Sequence, residues 1–93
     1  MAQITQVGNG WELSGEVVIN TASDLLAASK LMTLGPNTKI DFSGVTNIDT
    51  ATISLIFEWK RRALKENQSI RCVNLPDNLN SLTQLYGVNE MIN

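Results

Sequence analysis

The sequence predicts an α/β fold built on a small mixed β-sheet, and three observations carry that prediction. Gly8-Asn9-Gly10 separates two strand-like runs, "QITQV" and "GWELSG". Two further short strand patterns follow, "TKIDF" and "SIRCVN". Three amphipathic segments alternate with them. Strands that alternate with helices pair in parallel through right-handed crossovers, whereas a hairpin adds an antiparallel pair, so the sheet is mixed.

Each element has its own signal. Glycine and asparagine tolerate positive φ, which makes residues 8–10 a hairpin turn with Trp11 and Leu13 on one face. In "NTASDLLAASKLMTLG", Thr21 followed by Asp24 is an acidic variant of the capping box. Ala22, Leu25, Leu26 and Met32 lie near helical spacing, and Gly35-Pro36 supplies a stop. "TKIDF" places Ile40 and Phe42 on one face of a short strand that leads into a strand-to-helix turn through Gly44 and Asn47. The segment after Thr50 is the most informative. Ile53, Ile56, Phe57, Ala63 and Leu64 form a core stripe, with Ser54, Glu58, Arg61 and Lys65 opposite. Leu55 and Trp59 widen the apolar arc to roughly 200°, more than a sheet face covers, so a helix of the same domain or a partner protein must pack there. "SIRCVN" is a strand. The last helix has Pro76 in its first turn, Leu79, Leu82, Leu85 and Tyr86 as its apolar face, and Gly87 as C-cap.

Ninety-three residues with 43% hydrophobic content and no low-complexity tract suit one compact soluble domain, residues 1–93. A net charge of −2 and a pI near 4.9 argue against nucleic-acid binding, which needs clustered cations. The one cationic run, Lys60-Arg61-Arg62, reads as a solvated face or as a salt-bridging contact to an acidic partner. The single cysteine, Cys72, excludes an intrachain disulfide and sits among apolar neighbours as a small buried hydrophobe. "MAQITQVGNG" lacks an export pattern, and no run of about 18 apolar residues occurs, so a cytoplasmic location is expected, with any membrane association made through a partner.

The chain has no histidine, no Gly-rich phosphate loop and no metal-ligand spacing. Asp41 and Asp49 are the only pair resembling an acid and a base, and neither has a basic neighbour to orient it. No enzymatic activity, cofactor or metal is expected. Asp49-Thr50 at the start of the long helix reads first as a helix cap, because Asp and Thr oxygens satisfy N–H groups that lack intrahelical partners.

"KIDFSGVTNIDTATISLIF" resembles the signature of STAS domains, the fold of anti-sigma factor antagonists and of sulfate-transporter C-terminal domains. The resemblance is carried by Ile40-Asp41-Phe42-Ser43, Val45 and Ile48-Asp49-Thr50, and extends more loosely from Trp11 to Gly87. "LSGEV" and "LTQLYGV" are similar to the small transporter-associated, MlaB-like branch. One departure stands out. Where the family follows its hydroxyl residue with small residues including Gly, this chain has Ala51-Thr52-Ile53, which weighs against kinase recognition more than against the fold.

The resemblance implies a mixed sheet with helices mainly on one face and a partner surface around the loop and first turn after Asp49. The residues expected there are Thr46, Asn47, Asp49, Thr50 and Thr52, with Trp59 as an anchor. In the transporter branch the domain docks on the ATPase subunit of an ATP-binding-cassette phospholipid transporter that maintains outer-membrane lipid asymmetry. Through that subunit it associates with a membrane permease at the inner face of the cytoplasmic membrane. In the antagonist branch a hydroxyl at the position of Thr50 is phosphorylated by an anti-sigma kinase, which switches binding. The short chain after the third helix and Thr at position 50 favour the transporter branch.

Overall fold

The computed structural model describes residues 2–85 and 87. Its elements run β1 (Gln3–Val7), β2 (Gly10–Val17), α1 (Ile19–Ser29), β3 (Thr38–Ile48), α2 (Thr50–Lys65), β4 (Ile70–Val73) and α3 (Asp77–Leu85). The strands form one sheet in the order β1-β2-β3-β4. The β1–β2 hairpin is antiparallel, and the β2–β3 and β3–β4 pairs are parallel. This is the mixed sheet expected from the sequence. The hairpin turn has Gly8 at φ 59° in its first central position, a left-handed backbone that glycine adopts without steric cost.

One face of the sheet carries the core. Ile4, Trp11, Leu13, Ile40, Phe42 and Cys72 are buried against the helices, while Thr5, Glu12, Lys39 and Arg71 on intervening positions are exposed. This period-2 alternation is what a sheet with one covered face requires. Burial holds the Cys72 thiol protonated, its pKa pushed up to about 11 against a weak opposing pull from Lys60.

Three expectations about the elements need correction. Helix α1 stops at Ser29, well short of Gly35-Pro36, because the chain tightens into i→i−3 bonds at Lys30, Leu31 and Met32. Its start is also different. Thr21 is three residues inside the helix, where its hydroxyl accepts the Val18 N–H at 3.0 Å, so Thr21 and Asp24 are not the cap pair. Strand β3 does not end at Phe42. It continues to Ile48 by pairing with the second half of β2, and extra residues near Ser43 and at Thr46 shift the register twice. Gly44 permits this path, since a Cβ there would come within 3.0 Å of the Leu13 carbonyl oxygen.

The wide apolar arc of α2 is covered from within. Leu55 and Trp59 are 3% and 1% exposed, and Trp59 packs edge-on against Trp11 with ring centroids 5.6 Å apart. Trp59 Nε1–H donates to Ser29 Oγ at 2.9 Å, which ties α2 to the end of α1. Leu64 was expected in the core stripe and is 79% exposed, being beyond the edge of the arc that faces the sheet. In α3, Leu79 and Thr83 are buried and Leu85 is exposed. Tyr86 lies outside the described residues. Gly87 has φ 69° and its N–H donates to the Gln84 carbonyl, as expected of a residue that ends a helix.

Arg62 is the largest surprise among the charged residues. Instead of joining a solvated face, its guanidinium donates to Ser29 O at 2.8 Å, to Met32 O at 2.6 Å and to Glu66 at 2.8 Å. It also lies 5.7 Å from the Trp11 ring centroid. The cation thereby adds a second donor to the Ser29 carbonyl, which already accepts the Met32 N–H, and bonds the Met32 carbonyl beyond the C-terminal end of α1.

Two outcomes follow from this core. Trp59→Ala removes a fully buried ring and its hydrogen bond to Ser29, and chemical denaturation should show a loss of about 3–5 kcal/mol; an unchanged midpoint would mean that the ring contributes no packing. The Cys72 thiol in the unfolded chain ionises near its ordinary value of 9.0, below the folded value of about 11. Its stabilising contribution is therefore complete below pH 9 and is lost as pH rises from 9 to 11. Compared with wild type, Cys72→Ala should show a flatter fall in stability over that range.

Candidate docking site

The residues around Asp49 form a junction between two helix starts. Strand β3 ends at Ile48 and α2 begins at Thr50, so Asp49 alone connects them. Its extended backbone is that of an N-cap residue. The two carboxylate oxygens serve different helices. Ala51 N–H donates to Asp49 Oδ1 at 2.8 Å, and Ile19 N–H, at the start of α1, donates to Asp49 Oδ2 at 3.0 Å. The cap reading of Asp49 is right and covers two helices, since α1 has only the apolar Val18 at its own N-cap.

Thr52 completes the junction from inside. It is fully buried, donates to the Val17 carbonyl at 2.6 Å and accepts the Asp49 N–H at 3.3 Å. Both ends of the hydroxyl are used within the fold, so Thr52 is a core residue and not part of a partner surface. Trp59 is corrected in the same way. Its ring is 1% exposed and its N–H is already bonded. Of the Ala51-Thr52-Ile53 departure from the family's small residues, Thr52 and Ile53 are buried and only half-buried Ala51 reaches the surface.

Thr50 is different. It is the first residue of α2, is exposed, and its hydroxyl makes no hydrogen bond among the described residues. Thr46 and Asn47 are exposed near the end of β3, Thr46 as the extra residue of a bulge and Asn47 accepting the Ile48 N–H at 3.0 Å. A groove of about 300 Å3 opens beside Thr50, between α1 and α2. Ile19, Ala22, Leu26, Ala51 and Leu55 give it a mostly apolar lining. Ile19 is 71% exposed and was not anticipated as a site residue. The signal was present in the sequence, because Ile19 stands three and seven residues before Ala22 and Leu26, at the edge of the same helical face.

Asp41, the other acid of the signature, has a structural task. Its Oδ1 accepts the Ser43 N–H at 2.8 Å and an Asn74 Nδ2–H at 3.0 Å. The Asn74 bond and then the Ser43 bond hold its carboxyl below the ordinary value of 3.8. Asp41 thus fixes the first bulge of β3 to the turn after β4, and it forms no acid–base pair with Asp49. Among the described residues no group of three or more His, Cys, Asp or Glu side chains is placed to hold a metal ion. No helix among them is long and apolar enough to cross a membrane.

The family model described as Mlab, STAS domain matches residues 3–93. The chain belongs to the STAS-domain family. A solved structure of the anti-sigma factor antagonist SpoIIAA in its unphosphorylated form is similar over 91% of this chain and 83% of its own, with 12% identity and a TM-score of 0.67. A crystal structure of Mglu is 20% identical over 81% of this chain but only 19% of its own, with a TM-score of 0.59. Mglu in its native form gives 16% identity, 74% and 22% coverage and a TM-score of 0.51. At these identities the likeness is one of fold. No curated protein matches the chain in sequence. STAS domains related to the antagonists are generally non-enzymatic, and the matching family model is not that of a catalytic family.

The junction separates stability from exposure within two adjacent residues. Asp49→Ala removes caps from two helices and should cost roughly 2 kcal/mol, about 1 for each helix end. Thr50→Ala deletes an unbonded exposed hydroxyl and should stay within about 0.5 kcal/mol of wild type. Urea unfolding of the two variants side by side decides this, and equal losses would show that Thr50, too, holds the helix.

Proposed function

We propose that this STAS domain is a non-enzymatic accessory subunit of the MlaB type. It docks on the ATPase of an ATP-binding-cassette phospholipid transporter and supports its assembly and activity in maintaining outer-membrane lipid asymmetry. In this reading the domain stays in the cytoplasm and reaches the membrane face only through the ATPase and its permease. The observation that carries the reading is the pairing of an exposed, unbonded Thr50 with the apolar groove beside it, in a chain matched by the Mlab model over nearly its whole length.

Docking at such a place is governed by desolvation. A partner that covers Ile19, Ala51 and the rim of Leu55 removes apolar surface from water, which favours association by about 25 cal/mol per Å2. The Thr50 hydroxyl becomes enclosed in that contact. A neutral hydroxyl can bond to a partner group, whereas a charge buried there without a counter-ion opposes binding strongly. The same geometry would make phosphorylation of Thr50 an off-switch, because a phosphate adds roughly −1.5 to −2 charge at the contact. It would leave the fold intact, since a helix N-terminus accommodates negative charge.

The test pairs stability with association. Thr50→Glu should unfold at nearly the wild-type temperature and lose most of its affinity for the ATPase subunit. Intact binding by Thr50→Glu would move the docking surface elsewhere. Affinity isolation from native membranes should recover an ATPase and a permease, whereas recovery of a soluble kinase in their place would favour the anti-sigma antagonist reading.

A further inference from the structure

The groove beside Thr50 continues along the helices. Leu26 and Glu58 line it and also line a second concavity of about 650 Å3 between the C-terminal parts of α1 and α2. Each helix follows one of two parallel strands, so the two run side by side in the same direction and their ends meet. Arg62 of α2 bonds the Ser29 and Met32 carbonyls at that end.

Along this path the lining changes from apolar to cationic. Lys30, Arg61, Arg62 and Lys65 line the second concavity together with Glu58 and Glu66. The two carboxylates are already engaged, Glu58 by Arg61 and Glu66 by Arg62. Lys30 and Lys65 have no ion-pair partner among the described residues. Four of the chain's seven lysines and arginines therefore converge on one end of a groove, in a chain whose net charge is −2. Cations near helix C-termini complement the helix dipole, which accounts for one at the end of each helix. Arg61, in the body of α2, pairs with Glu58 while its side chain stays 72% exposed, so its outer donors remain open to a further carboxylate.

We propose that the partner segment filling this groove is an amphipathic helix with an acidic end. Its apolar side chains lie against Ile19, Ala22, Leu26, Ala51 and Leu55, and its carboxylates meet Lys30, Arg61 and Lys65. The proposal rests on the docking reading above and adds the chemistry of the segment that docks. The sixteen residues of α2 set the length of the groove; at about 1.5 Å per residue this is roughly 24 Å, or a little over four turns of a partner helix. The apolar half supplies burial, and the cationic half fixes which way round the helix lies, since reversal would set carboxylates against an apolar wall and leave the cations unmatched.

The experiment measures affinity of the purified ATPase subunit of the phospholipid transporter from the same organism. It compares wild type, Thr50→Glu and the triple variant Lys30→Glu/Arg61→Glu/Lys65→Glu, each at low and at raised salt. All three reversed residues are exposed, and circular dichroism should show the triple variant folded. The expected result is an affinity at least about tenfold weaker for the triple variant, and a salt dependence present in wild type and lost in the variant. If the triple variant binds as tightly as wild type while Thr50→Glu does not bind, the acidic-helix inference is overturned and the docking reading stands. If wild type does not bind the ATPase at all, the docking reading fails and the inference falls with it. A third arm uses vesicles containing phosphatidylglycerol. Vesicle binding that the triple variant loses, with ATPase affinity intact, would assign the cationic end to an anionic membrane and overturn the proposal.

Discussion

The architecture depends on one carboxylate shared between two helices. Asp49 Oδ1 and Oδ2 take N–H groups from the first turns of α2 and α1 respectively, from residues thirty positions apart in the chain for the Ile19 bond. Helix N-termini carry unpaired donors and a partial positive charge. Two of them brought together would repel each other and leave donors unmet. A single anionic bidentate acceptor answers both needs, and the buried Thr52 hydroxyl fastens the same point to the end of β2. The relative position of α1 and α2, and so the groove between them, follows from this junction at one end.

At the other end the same two helices are held by a different chemistry. Trp59 bonds Ser29, Trp11 bonds the Thr33 carbonyl at 3.1 Å, and Arg62 spans the carbonyls where α1 unwinds. Arginine suits this position because its planar fork can serve several acceptors at once while its face rests on an indole ring. Hydrogen bonds at both ends therefore fix the spacing of the groove's two helical walls. Walls fixed in this way would limit the ordering required when a partner binds, which favours association without any additional contact.

Much of the fold was legible because its signals are local. The Gly8-Asn9-Gly10 turn, the alternation around Ile40 and Phe42, and the apolar spacing of Ile53, Ile56 and Ala63 each reside within a few residues, and each became the element expected. What escaped were features set by distant partners. The start of α1 is fixed by Asp49, so the nearer Thr21 misled. The continuation of β3 to Ile48 depends on bulged pairing with Ser14 to Val17, and Gly44 and Asn47 read locally as turn residues. Arg62 looked like its neighbour Arg61, since only the folded position of Trp11 and of the α1 terminus distinguishes them. At the candidate site, Thr50, Thr46 and Asn47 are exposed, whereas Thr52 and Trp59, expected at the same surface, turned inward. A hydroxyl and an indole are equally able to satisfy a core or a partner, and their composition does not say which.

The division of labour between Asp49 and Thr50 has a physical origin. The residue at the N-cap must hold an extended backbone and an acceptor side chain, and so is committed to the fold. The next residue is helical, and its side chain projects outward with no capping duty. Thr50 can therefore differ in charge or size without disturbing the junction that positions it. Two helix N-termini converge beside it, and Asp49 supplies one negative charge against their combined positive ends. Local electrostatics at Thr50 consequently tolerate an added anion in the free domain, while a covering partner that excludes water would not. In the proposed docking, the difference between those two states would let a single exposed hydroxyl govern association independently of stability.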